Sequence, residues 1–224
     1  MDQLQIQITI NPALYLRNPE STDLGRKIVS ESIELIDELG FESFTFKKLG
    51  VRISSNESSI YRYFESKHSL LVYLISWYWS WVEYRLLFSI TNVFDPKIKL
   101  RNALQLITKK ITQDTNVSFV NEVKLHRIII AESSKAYHTK DIDKENQKGY
   151  YKTYKRVVQR ISDIVLELNP DYDFPHMLIS TVIEGAHHQR YFAEHLPSLT
   201  NVKEGQKTIE NFYSDLVFKA INQY

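Results

Sequence analysis

The sequence predicts an all-α protein of about nine helices, and three observations support that fold class. Only six glycines and six prolines punctuate 224 residues, so long stretches run uninterrupted. Apolar residues recur along those stretches at alternating steps of three and four, the period of an amphipathic helix. The only clear period-two alternation, Leu4, Ile6, Ile8 and Ile10, is confined to the first ten residues. That segment reads as a short strand-like extension that needs a partner, either a second subunit or the helical body.

The elements follow in order. Asn11-Pro12 and Asn18-Pro19 mark an irregular connector, which closes an N-terminal extension over residues 1–20. From Ser21 the spacing of Leu24, Ile28, Ser32, Leu35, Ile36 and Leu39 predicts a first helix, with Gly40 placed to end it. Phe46, Leu49 and Ile53 predict a short second helix, and Ser54-Ser55 a polar turn. A third short helix is expected from Asn56, a good N-cap, to about Phe64, with Glu57 at the positive end of its dipole. Ser66 can cap a long fourth helix that begins at Lys67. Asp95-Pro96 opens a helix through Leu100, Leu104, Ile107 and Ile111. Another helix is expected over 119–136. Tyr150, Tyr154, Val157, Ile161, Ile164 and Leu168 predict the next, closed by Pro170. Two more fit residues 175–195 and 204–222, with Pro197 between them.

Composition excludes several classes. Hydrophobic residues at 43% and charged residues at 25% describe a chain that can bury a core rather than a disordered one. The absence of cysteine rules out disulfides, zinc–thiolate sites and thiol catalysis, and fits a reducing cytoplasm. Met1-Asp2-Gln3-Leu4-Gln5 lacks the basic start and apolar core of a secretory signal, so a cytoplasmic location is expected. Residues 70–82 are uncharged, but they fall short of the roughly 20 residues that span a bilayer. A helix buried on several sides is expected there, and no membrane partner. The formal net charge of +1 does not by itself announce a nucleic-acid partner.

Three short helices, the last two joined by a tight turn, make a helix-turn-helix over residues 21–67. Gly50 would let the third helix cross closely over the second. Phe46, Leu49, Ile53, Ile60 and Phe64 can lock the pair, and Ser58, Ser59, Tyr61, Arg62 and Tyr63 offer donors to phosphates and base edges. Residues 21–67 hold seven basic against eight acidic side chains. Five of those acids (Glu31, Glu34, Asp37, Glu38 and Glu42) lie on or just after the first helix, leaving a local positive face on the helix-turn-helix side.

Thr45-Phe46-Lys47-Lys48-Leu49-Gly50, followed by Ser59-Ile60-Tyr61-Arg62-Tyr63-Phe64-Glu65-Ser66-Lys67-His68-Ser69-Leu70-Leu71, resembles the DNA-binding signature of the TetR (tetracycline-repressor) family. The likeness covers roughly residues 21–75. It implies a homodimeric, ligand-responsive transcriptional regulator that binds a double-stranded DNA operator, most simply as a repressor. It further implies phosphate contacts from Thr45, Tyr61, Tyr63 and Lys67, and base-edge proximity for Lys47, Ser58 and Ser59; Arg62 belongs to the DNA-binding set as an available donor. Two positions depart from the family pattern. Ser54 stands in the turn where glycine is usual, which implies modest strain or an altered turn. Glu57 would repel phosphate unless it accepts from a cytosine amino group.

Residues 68–224 would form the effector-binding and dimerising domain. Trp77, Trp81, Tyr84 and Tyr154, with Arg85 or His126 to fix a polar group, could line a pocket for an apolar or aromatic effector; the same rings could simply fill core. Leu178, Val182, Gly185 and Ala186 form one apolar stripe and Ile209, Phe212 and Leu216 another. They are expected either to meet their counterparts in a four-helix dimer interface or to pack within the subunit. Glu184 and His188 have chelating spacing, but adjacent histidines point about 100° apart on a helix, and no metal or cofactor is expected. No phosphate loop, nucleophile elbow or His-Glu-x-x-His motif suggests an enzyme. The rival reading is a lipid- or small-molecule-binding protein that keeps this fold and has lost DNA binding.

Overall fold

The computed structural model describes residues 8–113, 119–203 and 205–222. Among these residues there are eleven α-helices, three short 3-10 turns and no strand. The helices are α1 (Asp23–Leu39), α2 (Phe46–Arg52), α3 (Glu57–Tyr61), α4 (Lys67–Ile90), α5 (Pro96–Thr108), α6 (Glu122–Glu132), α7 (Ser134–Tyr137), α8 (Ile142–Gln147), α9 (Lys152–Leu168), α10 (Pro175–His195) and α11 (Thr208–Asn222). Two more are present than the periodicity announces. The helix expected over 119–136 breaks at Ser133, where the bonding tightens to Ala136 N–H donating to Ser133 O at 3.0 Å. The six residues of α8 are too few and too charged to show a period.

The residues form two compact units. One contains the described residues through Ser80 and those from Ile111 to Lys152; the other contains Trp81–Lys110 and the residues from Thr153 onward. Helix α4 contributes to both.

In the first unit, Ile28, Ile33, Phe44, Leu49, Ile60 and Phe64 are wholly buried. Residues 70–79 of α4 are buried all round, which answers the long uncharged run. Among the described residues no helix is long and apolar enough to cross a membrane. The acids of α1 are turned to partners inside this unit. Arg52 bridges Glu31 at 3.1 Å and Glu38 at 2.8 Å, Lys124 pairs with Glu34, and Arg127 Nε donates to Asp37 at 2.8 Å. The negative face of α1 is therefore largely neutralised by α2 and α6.

The N-terminal extension is not a strand where it is described. Ile8 and Ile10 are buried, Thr9 between them is exposed, and each of Asn11 and Asn18 caps a 3-10 turn with its side chain. The alternation records docking on the helical body; Leu4 and Ile6 lie outside the described residues.

In the second unit α5, α10 and α11 pack together. Here the expected dimer stripes divide. Val182, Ala186 and Ile209 face the subunit's own core, at 0%, 0% and 4% exposure. A Cβ on Gly185 would meet the Tyr213 hydroxyl at 2.2 Å, so this glycine admits α11 against α10 within one chain. Phe212 and Leu216 do face outward, and Leu178 is half-buried beside exposed Met177. The apolar arc on each helix is wide enough to serve both directions, which is why one stripe was legible where two faces exist.

Candidate DNA-binding surface

The geometry of the helix-turn-helix is set by three local devices. Thr45 caps α2, its hydroxyl accepting from Lys48 N–H at 3.2 Å. Ser55 N–H donates to Gly50 O at 2.8 Å, and a Cβ on Gly50 would stand 2.9 Å from Ser55 O, so the turn closes only over a glycine. Ser54 takes the left-handed conformation at φ 55°, where glycine would be less costly. Asn56 then caps α3 by accepting from Ser58 N–H at 3.3 Å.

These devices present a row of polar side chains. Thr45, Lys47, Ser58, Tyr61 and Arg62 are exposed and Ser59 is half-buried. The Tyr61 ring stands edge-on to Phe46, with centroids 5.0 Å apart, so the core holds its direction. Arg62 donates to Ser59 Oγ at 3.2 Å, joining two members of the row. Glu57 is half-buried in the first turn of α3.

Two residues of the expected set face elsewhere. Tyr63 is 3% exposed, with its hydroxyl 2.8 Å from Thr22 Oγ1, and so ties the end of α3 to the start of α1. Lys67 Nζ donates to the carbonyl oxygens of Phe41 and Glu42 at 3.2 Å each and sits 4.8 Å from the Phe41 ring centroid. It gathers the turn after α1 onto α4. In the free chain the donors of both residues, to which the sequence reading gave phosphate roles, are already engaged. Sequence spacing could not show it, because the partners Thr22 and Phe41 are distant along the chain.

Residues 28–74 match the model for bacterial regulatory proteins of the tetR family. The N-terminal domain belongs to that family. It is therefore a helix-turn-helix DNA-binding domain of the TetR type, and the signature read from Thr45 to Leu71 lies within the matched segment. The whole fold is shared with solved proteins of low sequence identity. A transcriptional regulator from Rhodococcus sp. Rha1 is 12% identical, with a TM-score of 0.60, over 92% of this chain and 97% of that one. The superantigen PfiT is 13% identical, with a TM-score of 0.59, over 91% and 97%. AibR, solved with isovaleryl coenzyme A and operator DNA, is 13% identical, with a TM-score of 0.52, over 87% and 97%. No curated protein is significantly similar to the chain in sequence.

The effector residues expected from the sequence fall in both compact units. In the first, Trp77 is 1% exposed and His126 Nδ1 lies 2.8 Å from the Tyr78 hydroxyl, with the two rings stacked. In the second, Arg85 lies 4.6 Å from the centroid of the buried Trp81 ring, and the Tyr154 hydroxyl donates to Glu184 Oε1 at 2.8 Å. Tyr84 departs from expectation: it is 40% exposed and stacks on the still more exposed Phe88, so it lines surface rather than core. The sequence reading missed a cavity of about 220 Å³ in the second unit, bounded by Gln189, Leu199, Val202, Thr208, Ile209 and Phe212. Ile209 and Phe212 read from the sequence as dimer contacts, Leu199 and Val202 belong to a connector without periodicity, and Gln189 and Thr208 stand on α10 and at the start of α11.

Proposed function

We propose that this chain is a ligand-responsive transcriptional repressor that binds operator DNA as a homodimer in the cytoplasm. The observation that carries the reading is the exposed row of Thr45, Lys47, Ser58, Tyr61 and Arg62, with Ser59 beside them, on the two helices of a TetR-type domain. Lys47, Ser58 and Ser59 are assigned to base edges, and Thr45, Tyr61 and Arg62 to phosphates. Dimerisation is assigned to the outward arc of α10 and α11, with Leu178, Phe212 and Leu216 as its apolar centre.

An apolar or aromatic effector is assigned to the aromatic residues of the second unit, Trp81 and Tyr154, with Arg85 to fix a polar group. Helix α4 begins at Lys67, which holds the turn after α1, and continues into the second unit. A ligand that favours one setting of α4 would change DNA affinity only by its differential affinity for the two settings, typically about 5–150-fold. A gel-shift with the DNA upstream of the chain's own gene tests the reading. A discrete, competable complex supports it; no complex beyond that seen with unrelated DNA favours a ligand-binding protein that has lost DNA recognition.

A further inference from the structure

Apart from Lys140, Lys148 and Lys152, which lie around α8 and at the start of α9, the cations of the first unit can be sorted by what already holds them. Arg26, Arg52, Lys124, Arg127, Lys135 and Lys144 pair with carboxylates. Lys27, Lys48 and Lys67 donate to backbone carbonyls of Ile53, Ser43 and the turn after α1. Lys47 and Arg62 already belong to the proposed DNA surface. Arg17, in the connector before α1, is exposed and forms no ion pair or hydrogen bond among the described residues. Its guanidinium carbon stands 5.5 Å from the Tyr63 ring centroid, immediately after α3.

The backbone around Arg17 is fixed. Leu16 N–H donates to Tyr63 O at 2.8 Å, so the residue before Arg17 is tied to the chain two residues beyond α3. Upstream, Leu14 is 2% exposed, Asn11 Nδ2 donates to Lys148 O at 2.9 Å, and the Tyr150 hydroxyl donates to Ala13 O at 3.0 Å. Downstream, the Asn18 side chain caps the turn at Pro19. The ring beneath is fixed as well, because the Tyr63 hydroxyl is paired with Thr22. Asp23, in the first turn of α1, is paired with Arg26, and Glu20 accepts from Tyr73. The result is a positive, donor-rich group on a backbone tied to the end of α3, with no anionic partner of its own among the described residues.

We propose that Arg17 is a DNA-backbone contact, taking a phosphate oxygen beside the end of α3 where the buried Tyr63 and the occupied Lys67 do not reach. The inference rests on the DNA-binding reading above. The guanidinium fork suits a phosphate, and the flat face left over Tyr63 limits the entropy lost on contact. The contact carries no base information, so it strengthens binding to every sequence alike.

Binding of a labelled random-sequence duplex, followed by anisotropy between about 50 and 200 mM salt, tests this. Arg17→Ala is expected to leave thermal stability unchanged, weaken binding to this duplex, and reduce the slope of log affinity against log salt by about 0.9. Arg17→Lys is expected to restore the slope, because the charge returns, with affinity between the two. Parent and Arg17→Ala curves that coincide at every salt overturn the inference while leaving the DNA-binding reading intact. A parent that binds no duplex even at the lowest salt overturns both.

Discussion

The carboxylate of Glu83, on α4, accepts from Arg156 Nε, on α9, at 2.8 Å, and Arg160 reaches its Oε1 at 3.1 Å. Glu83 is 8% exposed, so this is a desolvated acid held by two guanidinium groups that reach it from the surface. Burial pushes its carboxyl upward, but the bonds from Arg156 and Arg160 outweigh that and hold it below the usual value of 4.5. A depressed folded pKa contributes stability that is fully present above about pH 4.5 and is lost as pH falls through the folded value. Replacing Glu83 by Gln leaves two arginines facing a neutral amide and is expected to cost about 1–3 kcal/mol near neutral pH. It should also flatten the acid limb of a plot of Tm against pH. An unchanged Tm at pH 7 would show that the network is energetically idle.

Ser54 holds a left-handed turn at φ 55°. The conformation costs a non-glycine residue roughly 1–2 kcal/mol, offset in part by the greater chain entropy that a glycine loses on folding. Ser54→Gly is expected to raise stability by about 0.5–1 kcal/mol in urea denaturation, with no change in the slope of the transition. A loss of stability would mean that the serine side chain contributes more than its backbone costs.

The two exposed residues of α11, Phe212 at 56% and Leu216 at 40%, carry the proposed dimer contact, whereas Ile209 and Tyr213 on the adjoining arc fill the subunit core. Leu216→Asp is therefore expected to yield a folded monomer, seen as halved mass in sedimentation with an unchanged helical spectrum. Ile209→Asp should unfold the second unit instead. A dimer that survives Leu216→Asp with undiminished affinity would place the interface elsewhere.

The sequence exposed the fold where a local rule is strong. Asn56, Ser66 and Asp95 bond the helix N-termini they were expected to cap, and Gly50 lies where α2 and α3 approach. It was silent where the deciding partner is far along the chain. Nothing near Lys67 announces the carbonyls of the turn after α1, and nothing near Tyr63 announces Thr22. Arg17 escaped notice for the same reason, since its place beside α3 depends on a backbone bond from Leu16 to Tyr63. In α10 and α11 the apolar periodicity was real, but a wide arc does not say which of its edges faces the subunit and which faces out.

The α2–α3 row also makes a claim about sequence discrimination. Lys47, beside the second helix's exposed start, is assigned to base edges, and exposed Arg62 to the phosphate backbone. The most direct test is a pair of affinity measurements, on a duplex selected from a random pool by the parent protein and on an unselected one. The account expects the parent to prefer the selected duplex by about 10³-fold or more. Lys47→Ala should reduce that preference by about 1–3 kcal/mol while nonspecific binding changes little, and Arg62→Ala should weaken both duplexes alike with a salt slope smaller by about one. Equal parent affinity for the selected and unselected duplexes, or a Lys47→Ala variant with undiminished preference, would contradict the proposed recognition surface.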